Sequence, residues 1–412
     1  DESREAGGDP FAEFRLRNYY KFNLETGVRN LIIKGNRKFP QARFDFNGEP
    51  RFTQSIDPKT NKLSYYFRAP GEGSWKEAPI KYDYDDMSEM YRIAGSYGVQ
   101  GFDPDDPAIA YVLDDRGEDK ISLYKYDTRT LTFGEKVFGS DEADVLRIQR
   151  HSIPGREDLV AAVYPGAKFE RHWFDENEKL LHENLAREIP NSHEVSIRSR
   201  SRDGGTMVVQ NIGPRDPGSW WLVRGDSMVK LGSRNPELKP EHLSDVEFIK
   251  YKARDGRTIP AYVTKPKGKG PHPLIVLPHG GPTVNEVISF DEWGQLLAHA
   301  GYMVVQPQYR VSTGWGKDHF MAGYDQHGYT MQDDKDDAAL HLIEQGLVDP
   351  DRVAMFGWSY GGYAALVASS RDDNIYQCAI AGAAVSNPKK VYQQRRNPFW
   401  PKALDEFEKR RG

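Results

Sequence analysis

The sequence has one cysteine, Cys378, in 412 residues. A single cysteine excludes an internal disulfide framework and a metal site built on cysteine pairs, and its apolar surroundings in CAIAGAAV predict a buried side chain. No apolar run reaches the roughly 18 residues that a membrane-spanning helix needs, and the polar N-terminus contains no signal-peptide core. We therefore expect a soluble protein, for which a cytoplasmic location is favoured over a periplasmic one.

The sequence also has no large excess of positive or negative charge. The formal net charge is −5, with both signs mixed along the chain, so neither nucleic acid nor a membrane surface is expected as a partner. The sequence contains neither an H-E-x-x-H zinc motif nor a glycine-rich phosphate loop with its lysine. The acid runs GFDPDDP and QDDKDD are interpreted as solvated turns and helix starts rather than calcium sites. We therefore expect no cofactor and no metal.

The chain up to about residue 240 is rich in short aromatic and β-branched runs separated by turns, and it has few candidates for long helices. Four of these runs begin 45 to 51 residues apart: LSYYFRA from Leu63, AIAYVLDD from Ala108, LVAAVYP from Leu159 and TMVVQNIG from Thr206. Most are followed by a run that is interpreted as a second strand: LYKYDTRTLTFGEKVF, RHWFDENEKLLHENL and WWLVRGDSMVKLG. NYYKFNLETGVRNLII, near the start, is interpreted as part of another copy.

A repeat of this length with several short strands is typical of a β-propeller blade. The spacing therefore predicts that residues 1–240 form an all-β propeller domain with four blades and part of a fifth, which makes the propeller incomplete. An ordinary β-sandwich whose strands are evenly spaced by accident is the alternative.

From residue 241 the pattern changes to alternating strands and helices, which predicts a doubly wound, mostly parallel sheet. VEFIKYKARDGRTIPAYVTKP predicts a hairpin that turns at Asp255-Gly256. Buried strands are predicted at HPLIVLP, YMVVQPQYR, RVAMFGWS and YQCAIAGAAV, and helices at FDEWGQLLAHAG, MQDDKDDAALHLIEQG and YGGYAALVASS. In such sheets, functional residues lie at the carboxyl ends of the strands.

One motif at such an end is Gly357-Trp358-Ser359-Tyr360-Gly361. It has the G-x-S-x-G pattern of a nucleophile elbow, between an apolar strand and a helix rich in small residues. The sharp turn strains the serine backbone and leaves no room for side chains two positions either side, so glycine is needed there. The turn also places Ser359 at a helix N-terminus, where backbone N–H groups stabilise negative charge.

A second motif, PHGGP at residues 278–282, ends an earlier strand. A serine hydrolase needs two backbone N–H donors for the tetrahedral oxyanion, one from the residue after the nucleophile and one from a loop after an earlier strand. The first donor is predicted to be Tyr360. Gly280 and Gly281 allow the loop backbone to approach the substrate closely, although a simple Gly-Pro turn is the alternative.

HGGP, QYRVSTGWGKDHF and DDKDDAALHLIEQGLVDPDRVAMFGWSYGGY together closely resemble the catalytic domain of the prolyl oligopeptidase family, and the HGGP form resembles its acylaminoacyl-peptidase branch. The resemblance covers roughly residues 245–388, and the blade-like first half agrees with it. It implies an α/β-hydrolase domain at residues 241–412 that lacks its C-terminal strands. It also implies serine-type hydrolysis of short or N-terminally blocked peptides, with a propeller that keeps folded proteins away from the serine.

Carried over by motif, the resemblance makes Ser359 the nucleophile and the backbone N–H groups of Tyr360 and Gly281 the oxyanion hole. Arg310 and GWG at 314–316 match a loop of the family that we expect to support the site without taking part in the chemistry. The family places its triad acid and histidine on loops after two further strands. NPKKVYQQRRNPFWPKALDEFEKRRG resembles the segment that leads there.

No histidine follows Ser359 in the sequence, although the triad order of α/β-hydrolases is Ser, acid, His. The acids after Ser359 include Asp372 and Asp373, which we expect to end the helix, and Asp405, Glu406 and Glu408. The upstream histidines that precede it in this part of the chain are not expected to replace the base: His279, His299, His319, His327 and His341. We therefore expect the triad Asp and His to be absent from these 412 residues, which would come from a longer peptidase and be nearly inactive alone.

Two other functions stay open. A pseudoenzyme would bind peptides or a partner without cleaving them, but it would not need an intact elbow around Ser359. An esterase or lipase of the α/β-hydrolase class would not need a propeller. Short peptides are the expected partners, and the sequence leaves homo-oligomerisation open.

Overall fold

The computed structural model describes residues 16–387 apart from 37, 58, 61, 84–88 and 96. Its first part is β-rich, and the first 17 described strands form five antiparallel sheets, each made of strands that are consecutive in the chain. A two-stranded sheet contains β1 (Asn18–Phe22) and β2 (Arg29–Lys34). The next sheet contains β3 (Arg43–Phe44), β4 (Pro50–Ile56), β5 (Lys62–Phe67) and β6 (Lys76–Asp83).

Three further sheets follow. A short helix, α1 (Met90–Ala94), precedes β7 (Gly98–Phe102), β8 (Ile109–Asp114), β9 (Ser122–Asp127) and β10 (Thr132–Phe138). The next sheet contains β11 (Arg147–Arg150), β12 (Leu159–Pro165) and β13 (Phe169–Trp173), after which comes the helix α2 (Glu176–Glu188). The last contains β14 (Glu194–Arg200), β15 (Thr206–Gly213), β16 (Asp216–Arg224) and β17 (Ser227–Ser233).

The sequence repeat corresponds to one sheet per copy. The four regularly spaced runs form β5, β8, β12 and β15, and each of these strands lies between two neighbours in its own sheet. Neighbouring sheets share apolar cores; for example, Phe67 on β5 stacks on Tyr126 of β9 with ring centroids 5.0 Å apart. This explains why apolar residues recur in these runs.

One predicted strand is wrong. RHWFDENEKLLHENL forms β13 and then a helix, α2, instead of a strand alone. Asp175 caps this helix, because its carboxylate accepts hydrogen bonds from the backbone N–H groups of Asn177 and Glu178. Leu185 is buried on the face that packs toward β14. The other two follow-on runs each form two strands, β9 with β10 and β16 with β17.

The second part of the chain forms one mixed sheet with helices. Its elements are β18 (Val246–Lys252), β19 (Thr258–Thr264), β20 (His272–Val276), α3 (Glu292–His299), β21 (Met303–Pro307), α4 (Lys317–Met321), α5 (Thr330–Glu344), β22 (Val348–Trp358), α6 (Tyr360–Ser370) and β23 (Cys378–Gly382). The strand order is β18-β19-β21-β20-β22-β23. β19 pairs antiparallel with both of its neighbours, β18 and β21, whereas β21, β20, β22 and β23 are parallel to one another, as the sequence predicts.

The strand order of the mixed sheet indicates where the candidate site lies. From β20 the chain moves to β21 on one side and then to β22 on the other, so the strand order reverses beside β20. In doubly wound sheets, ligands bind at the carboxyl ends of strands where the order reverses. The segments that follow β20 and β22 contain the PHGGP turn and Ser359, respectively. The apolar core beneath them joins the sheet to α5 and α6 through residues such as Val276, Met355 and Ala365.

Two burial predictions are wrong. Cys378 is exposed, because it lies on β23, the outermost strand of the described sheet. QDDKDD does start a helix, α5, but it is not solvated: the side chains of Asp334, Asp336 and Asp337 are buried. Arginines from distant parts of the chain pair with these acids and make their burial tolerable.

GFDPDDP forms a turn after β7, in which the Asp103 carboxylate accepts hydrogen bonds from the N–H groups of Asp105 and Asp106. Among the described residues, no group of three or more His, Cys, Asp or Glu side chains is arranged to hold a metal ion. None of the described helices combines the length and apolar character that a membrane crossing requires. The predicted lead-in segment, NPKKVYQQRRNPFWPKALDEFEKRRG, lies outside the described residues after Asn387.

Candidate active site

Ser359 lies in the turn between β22 and α6 with backbone angles φ 57° and ψ −115°. A positive φ is unfavourable for a residue with a side chain, so the surrounding structure must hold this backbone in place. Two hydrogen bonds do so: the Ser359 N–H donates to the Gly382 carbonyl at 2.9 Å, and the Tyr363 N–H donates to the Ser359 carbonyl at 3.1 Å. The strained serine expected of a nucleophile elbow is therefore present.

The glycines around Ser359 are required by close backbone contacts. A Cβ atom on Gly357 would lie 2.2 Å from the backbone of Gly361, and one on Gly361 would lie 2.3 Å from the Pro278 carbonyl oxygen. Gly280 lies against the serine itself, since a Cβ there would be 3.5 Å from Ser359 Cβ. The PHGGP turn and the elbow thus pack directly on each other.

His279 anchors the PHGGP turn from inside the protein. Its ring stacks on Tyr309 with centroids 4.4 Å apart, and its Nε2 lies 2.9 Å from the Ser312 hydroxyl. The Tyr309 hydroxyl donates a hydrogen bond to the His279 carbonyl at 2.8 Å. Burial lowers the pKa of His279 to about 4, so the ring is neutral near pH 7. His279 is a structural part of this turn.

The two predicted oxyanion donors are Tyr360, which follows Ser359 in the chain, and Gly281 of the PHGGP turn. Tyr360 is the first residue of α6, in the turn where backbone N–H groups have no carbonyl partner within the helix itself. Gly281 has φ +113°, a conformation that favours glycine, and it follows Gly280 in the turn that touches the serine. Their role as oxyanion donors stays a prediction.

The other upstream histidines occupy four different environments. His319 is buried with Nε2 3.0 Å from the Gln308 carbonyl oxygen, and burial lowers its pKa to about 4. His299 is exposed, and His341 lies on α5 beside Gln345. The His327 ring packs on the Tyr360 ring with centroids 5.4 Å apart. Within the part of the chain that the structure describes, no histidine is hydrogen-bonded to Ser359.

The acids after the elbow divide into two groups. Asp373 forms an ion pair with Arg371 at 3.0 Å, directly after the end of α6 at Ser370, and Asp372 precedes it in the same turn. This agrees with the expectation that these two acids end the helix. Asp405, Glu406 and Glu408 lie outside the described residues.

Arg310 supports the site structurally. Its guanidinium is buried and pairs with Asp334 of α5 at 2.6 Å and with Asp255 at 2.8 Å. These ion pairs fix the segment that follows β21, which includes Tyr309 beneath the PHGGP turn. These contacts are consistent with the expected supporting role of Arg310, which stays a prediction.

GWG at 314–316 joins the two parts of the chain. The Gly314 carbonyl accepts a hydrogen bond from the Asp144 N–H at 2.9 Å, and the Gly316 N–H donates to the Asp144 carboxylate at 3.2 Å. Lys120 donates to the Trp315 carbonyl at 2.7 Å. The loop next to the site is therefore held by the β-rich part.

Sequence reasoning missed the side chains that support the elbow from below. Tyr309, Met331 and Lys335 pack with Tyr360 in the interior, and Lys335 is completely buried. The sequence signal for Lys335 is weak, because the lysine lies within QDDKDD, a run of polar residues that gives no indication of burial.

A strained serine between a strand and a helix, packed on a glycine turn from the neighbouring strand, defines the α/β-hydrolase class. Residues 288–410 match the family model Peptidase_S9, described as the prolyl oligopeptidase family. The chain therefore carries a prolyl oligopeptidase family domain, and its relatives are serine peptidases of that family.

Two curated relatives illustrate how much of the chain such proteins match. Dipeptidyl aminopeptidase BIII of Pseudoxanthomonas mexicana is 26% identical over 408 residues, which cover 95% of this chain and 56% of the relative. The acylamino-acid-releasing enzyme of Rattus norvegicus is 28% identical over 156 residues, which cover 38% of this chain and 21% of the relative. The chain spans about half the length of the curated relatives that it matches over most of its own length.

Among solved structures, a puromycin-hydrolyzing peptidase of Mycobacterium tuberculosis aligns with a TM-score of 0.63 and 19% sequence identity. The alignment covers 92% of this chain and 57% of that structure. A coverage of this extent includes both the β-rich part and the α/β part of the chain, so the two parts share the fold of that structure.

Proposed function

We propose that the protein is a serine peptidase that hydrolyses short or N-acylated peptides through an acyl-enzyme on Ser359. The observation that carries this proposal is the strained backbone of Ser359, held between β22 and α6 by glycines that no other residue can replace. Such strain is retained where the exposed hydroxyl is used, because it lowers stability without other benefit. The peptidase relatives supply the reaction class.

In the proposed reaction the Ser359 hydroxyl attacks the peptide carbonyl, and the resulting oxyanion accepts hydrogen bonds from the N–H groups of Tyr360 and Gly281. The positive end of α6 adds to this stabilisation, because Tyr360 is its first residue. A histidine must accept the serine proton and return it to the leaving amine, with a carboxylate to orient it. Neither partner is hydrogen-bonded to Ser359 among the described residues, so the proposal places both outside that part of the structure.

We assign residues 1–240 to a propeller domain and residues 241–412 to the hydrolase domain. One sheet per sequence repeat, built from consecutive strands and packed on the next sheet, supports the propeller assignment. The described contacts between Asp144 and the loop at 314–316 hold this domain beside the site. In this position it would admit short peptides and exclude folded proteins.

Two versions of the activity differ in whether the N-terminus of the peptide substrate is blocked or free. HGGP favours blocked peptides, as in acylaminoacyl peptidases. The second candidate is removal of dipeptides from a free N-terminus, because relatives that match more than nine-tenths of this chain bear the name dipeptidyl aminopeptidase or dipeptidyl peptidase. A non-cleaving binding protein and an esterase are the remaining alternatives.

The test is a substrate panel with the full-length protein that contains this chain. Three chromogenic substrates are compared: an N-acetylated peptide anilide, a dipeptide anilide with a free N-terminus, and a p-nitrophenyl ester. The proposal predicts anilide hydrolysis, highest for the acetylated peptide, and its loss in Ser359→Ala. Preference for the free dipeptide would select the second candidate. Ester hydrolysis without anilide hydrolysis would indicate an esterase, and no turnover would indicate a binding protein.

A further inference from the structure

Lys335 of α5 is a completely buried lysine whose side chain the proposed reaction does not use. Its ammonium group donates a hydrogen bond to the Met331 carbonyl one helical turn earlier. Within the described residues, no carboxylate lies within ion-pair distance of this ammonium. A buried cation without an acid partner is costly, and a methionine would fill the same space without that cost.

The ammonium group packs instead on two aromatic rings. Its nitrogen lies 3.6 Å from the centroid of Tyr309 and 5.5 Å from the centroid of Tyr360. Both distances are within the range of cation–π attraction, which is strong in sites from which water is excluded. The two rings are themselves stacked, with centroids 5.9 Å apart.

Each ring supports a different one of the two proposed oxyanion donors. Tyr360 follows Ser359 directly and supplies one proposed N–H donor. Tyr309 stacks on His279 and donates its hydroxyl hydrogen bond to the His279 carbonyl, which holds the turn containing the other proposed donor, Gly281. Lys335 is therefore in contact with both supporting rings at once.

We propose that Lys335 is a positioning residue for the oxyanion hole, whose ammonium group holds the Tyr309 and Tyr360 rings and so fixes the spacing of the two N–H donors. This inference rests on the proposed function of Ser359.

The charged state of Lys335 depends on pH near neutrality. Burial lowers its pKa to about 7, and Arg310 contributes in the same direction, while neighbouring carboxylates of α5 oppose the change. These acids are engaged elsewhere, Asp334 by Arg310 at 2.6 Å and Asp336 by the Tyr376 hydroxyl at 2.7 Å. The titratable and charged groups that face Lys335 from all packed elements are Asp333, Asp334, Asp336, Arg310, His279, Tyr309 and Tyr360.

The experiment compares wild type with Lys335→Met in the full-length protein, using the best substrate of the panel from pH 6 to 8.5. We expect K335M to lower kcat by about tenfold or more at pH 6 with little change in KM, because an oxyanion-hole defect affects the transition state. The ratio of wild-type to K335M kcat should approach one by pH 8.5, since wild-type Lys335 is then neutral. Taking the ratio removes the pH dependence of the catalytic histidine, which both proteins share.

Two further variants separate positioning from packing. Lys335→Arg keeps the charge at every pH, so its kcat should exceed that of K335M by a factor that does not fall at pH 8.5. Tyr309→Phe keeps the ring but loses the hydrogen bond to His279, and it should lower kcat without changing the pH dependence.

The outcomes are distinct. Turnover by K335M equal to wild type at pH 6, or a kcat ratio that is independent of pH, would overturn the role of Lys335 and leave Ser359 as the nucleophile. A wild-type protein that turns over no substrate would overturn the proposed function and this inference with it.

Discussion

The buried ion pair between Arg310 and Asp334 gives a prediction whose size follows from the structure. The Asp334 carboxylate is fully buried and accepts three hydrogen bonds from Arg310: from the backbone N–H at 2.8 Å, from Nε at 2.8 Å and from a terminal guanidinium nitrogen at 2.6 Å. Replacing Asp334 by Ala leaves a buried guanidinium without its main partner. Breaking a buried pair in this way costs about 3–5 kcal/mol.

The lower end of that range applies here, because Arg310 keeps its second partner, the half-exposed Asp255, at 2.8 Å. We therefore expect Asp334→Ala to lower the free energy of unfolding by about 3 kcal/mol. At about 2–4 °C per kcal/mol for a unit of this size, the melting temperature should fall by about 6–12 °C. Thermal unfolding followed by tryptophan fluorescence, with urea titration as a second measure, would record the change.

Asp349→Ala is the matched control, since it removes a surface ion pair with Arg352 at 2.7 Å in which the arginine side chain is 54% exposed. Exposed pairs contribute about 0–1 kcal/mol, so this variant should melt close to wild type. Equal melting temperatures for D334A and D349A would refute the reasoning that burial makes the Arg310 pair structural.

Two further predictions concern the elbow and Lys335. Gly361→Ala should reduce the reactivity of Ser359 toward a fluorophosphonate by about 100-fold or more, because the new Cβ would lie 2.3 Å from the Pro278 carbonyl oxygen. Gly73→Ala is the control, since a Cβ at Gly73 would have no heavy atom within 4 Å. Equal reactivity of the two variants would be inconsistent with the geometry. Lys335 has a pKa of about 7 when folded and about 10.5 when unfolded, so the unfolded chain binds more protons between these values and wild-type stability should rise with pH across this interval. The pKa difference of about 3.5, at about 1.4 kcal/mol per pKa unit, gives about 5 kcal/mol as the upper figure for this gain in the free energy of unfolding. The melting temperature of Lys335→Met should lack this rise with pH. The same dependence of melting temperature on pH in both proteins would contradict the prediction.

The α/β part was predictable from the sequence because its elements are locally consistent. Buried parallel strands are continuous apolar runs, and the helices end at glycines such as Gly301 and Gly346, both of which adopt positive φ. The elbow followed in the same way, since a strand–turn–helix with glycines on both sides of Ser359 restricts the backbone strongly.

The β-rich part was predictable in its repeat but not in every element. In the run from Arg171 the aromatic start favours a strand, and a helix signal follows it. Asp175 and Glu178 are spaced as in a capping box, with an acid at the cap and glutamate three residues later. The sequence therefore contains a local helix signal at this point, which competes with the strand pattern of the repeat.

The support beneath the elbow was not predictable from local sequence. MQDDKDDAAL reads as a solvated helix, yet its acids are buried because Arg254, Arg310 and Arg371 reach them from segments far away in the chain. Burial of Lys335 likewise depends on Tyr309 and Tyr360, which come from two other elements. Tertiary pairing of this kind has no periodic signature in one sequence. The exposure of Cys378 depends in the same way on the position of β23 at the outside of the described sheet.

The most direct test of the central claim, that Ser359 is an activated nucleophile, is the intact mass of the full-length protein before and after incubation with a fluorophosphonate. Our account predicts one adduct per chain, located on Ser359 by peptide mapping and absent in Ser359→Ala. A protein that gains no mass, or an adduct that persists in the S359A variant, would contradict it.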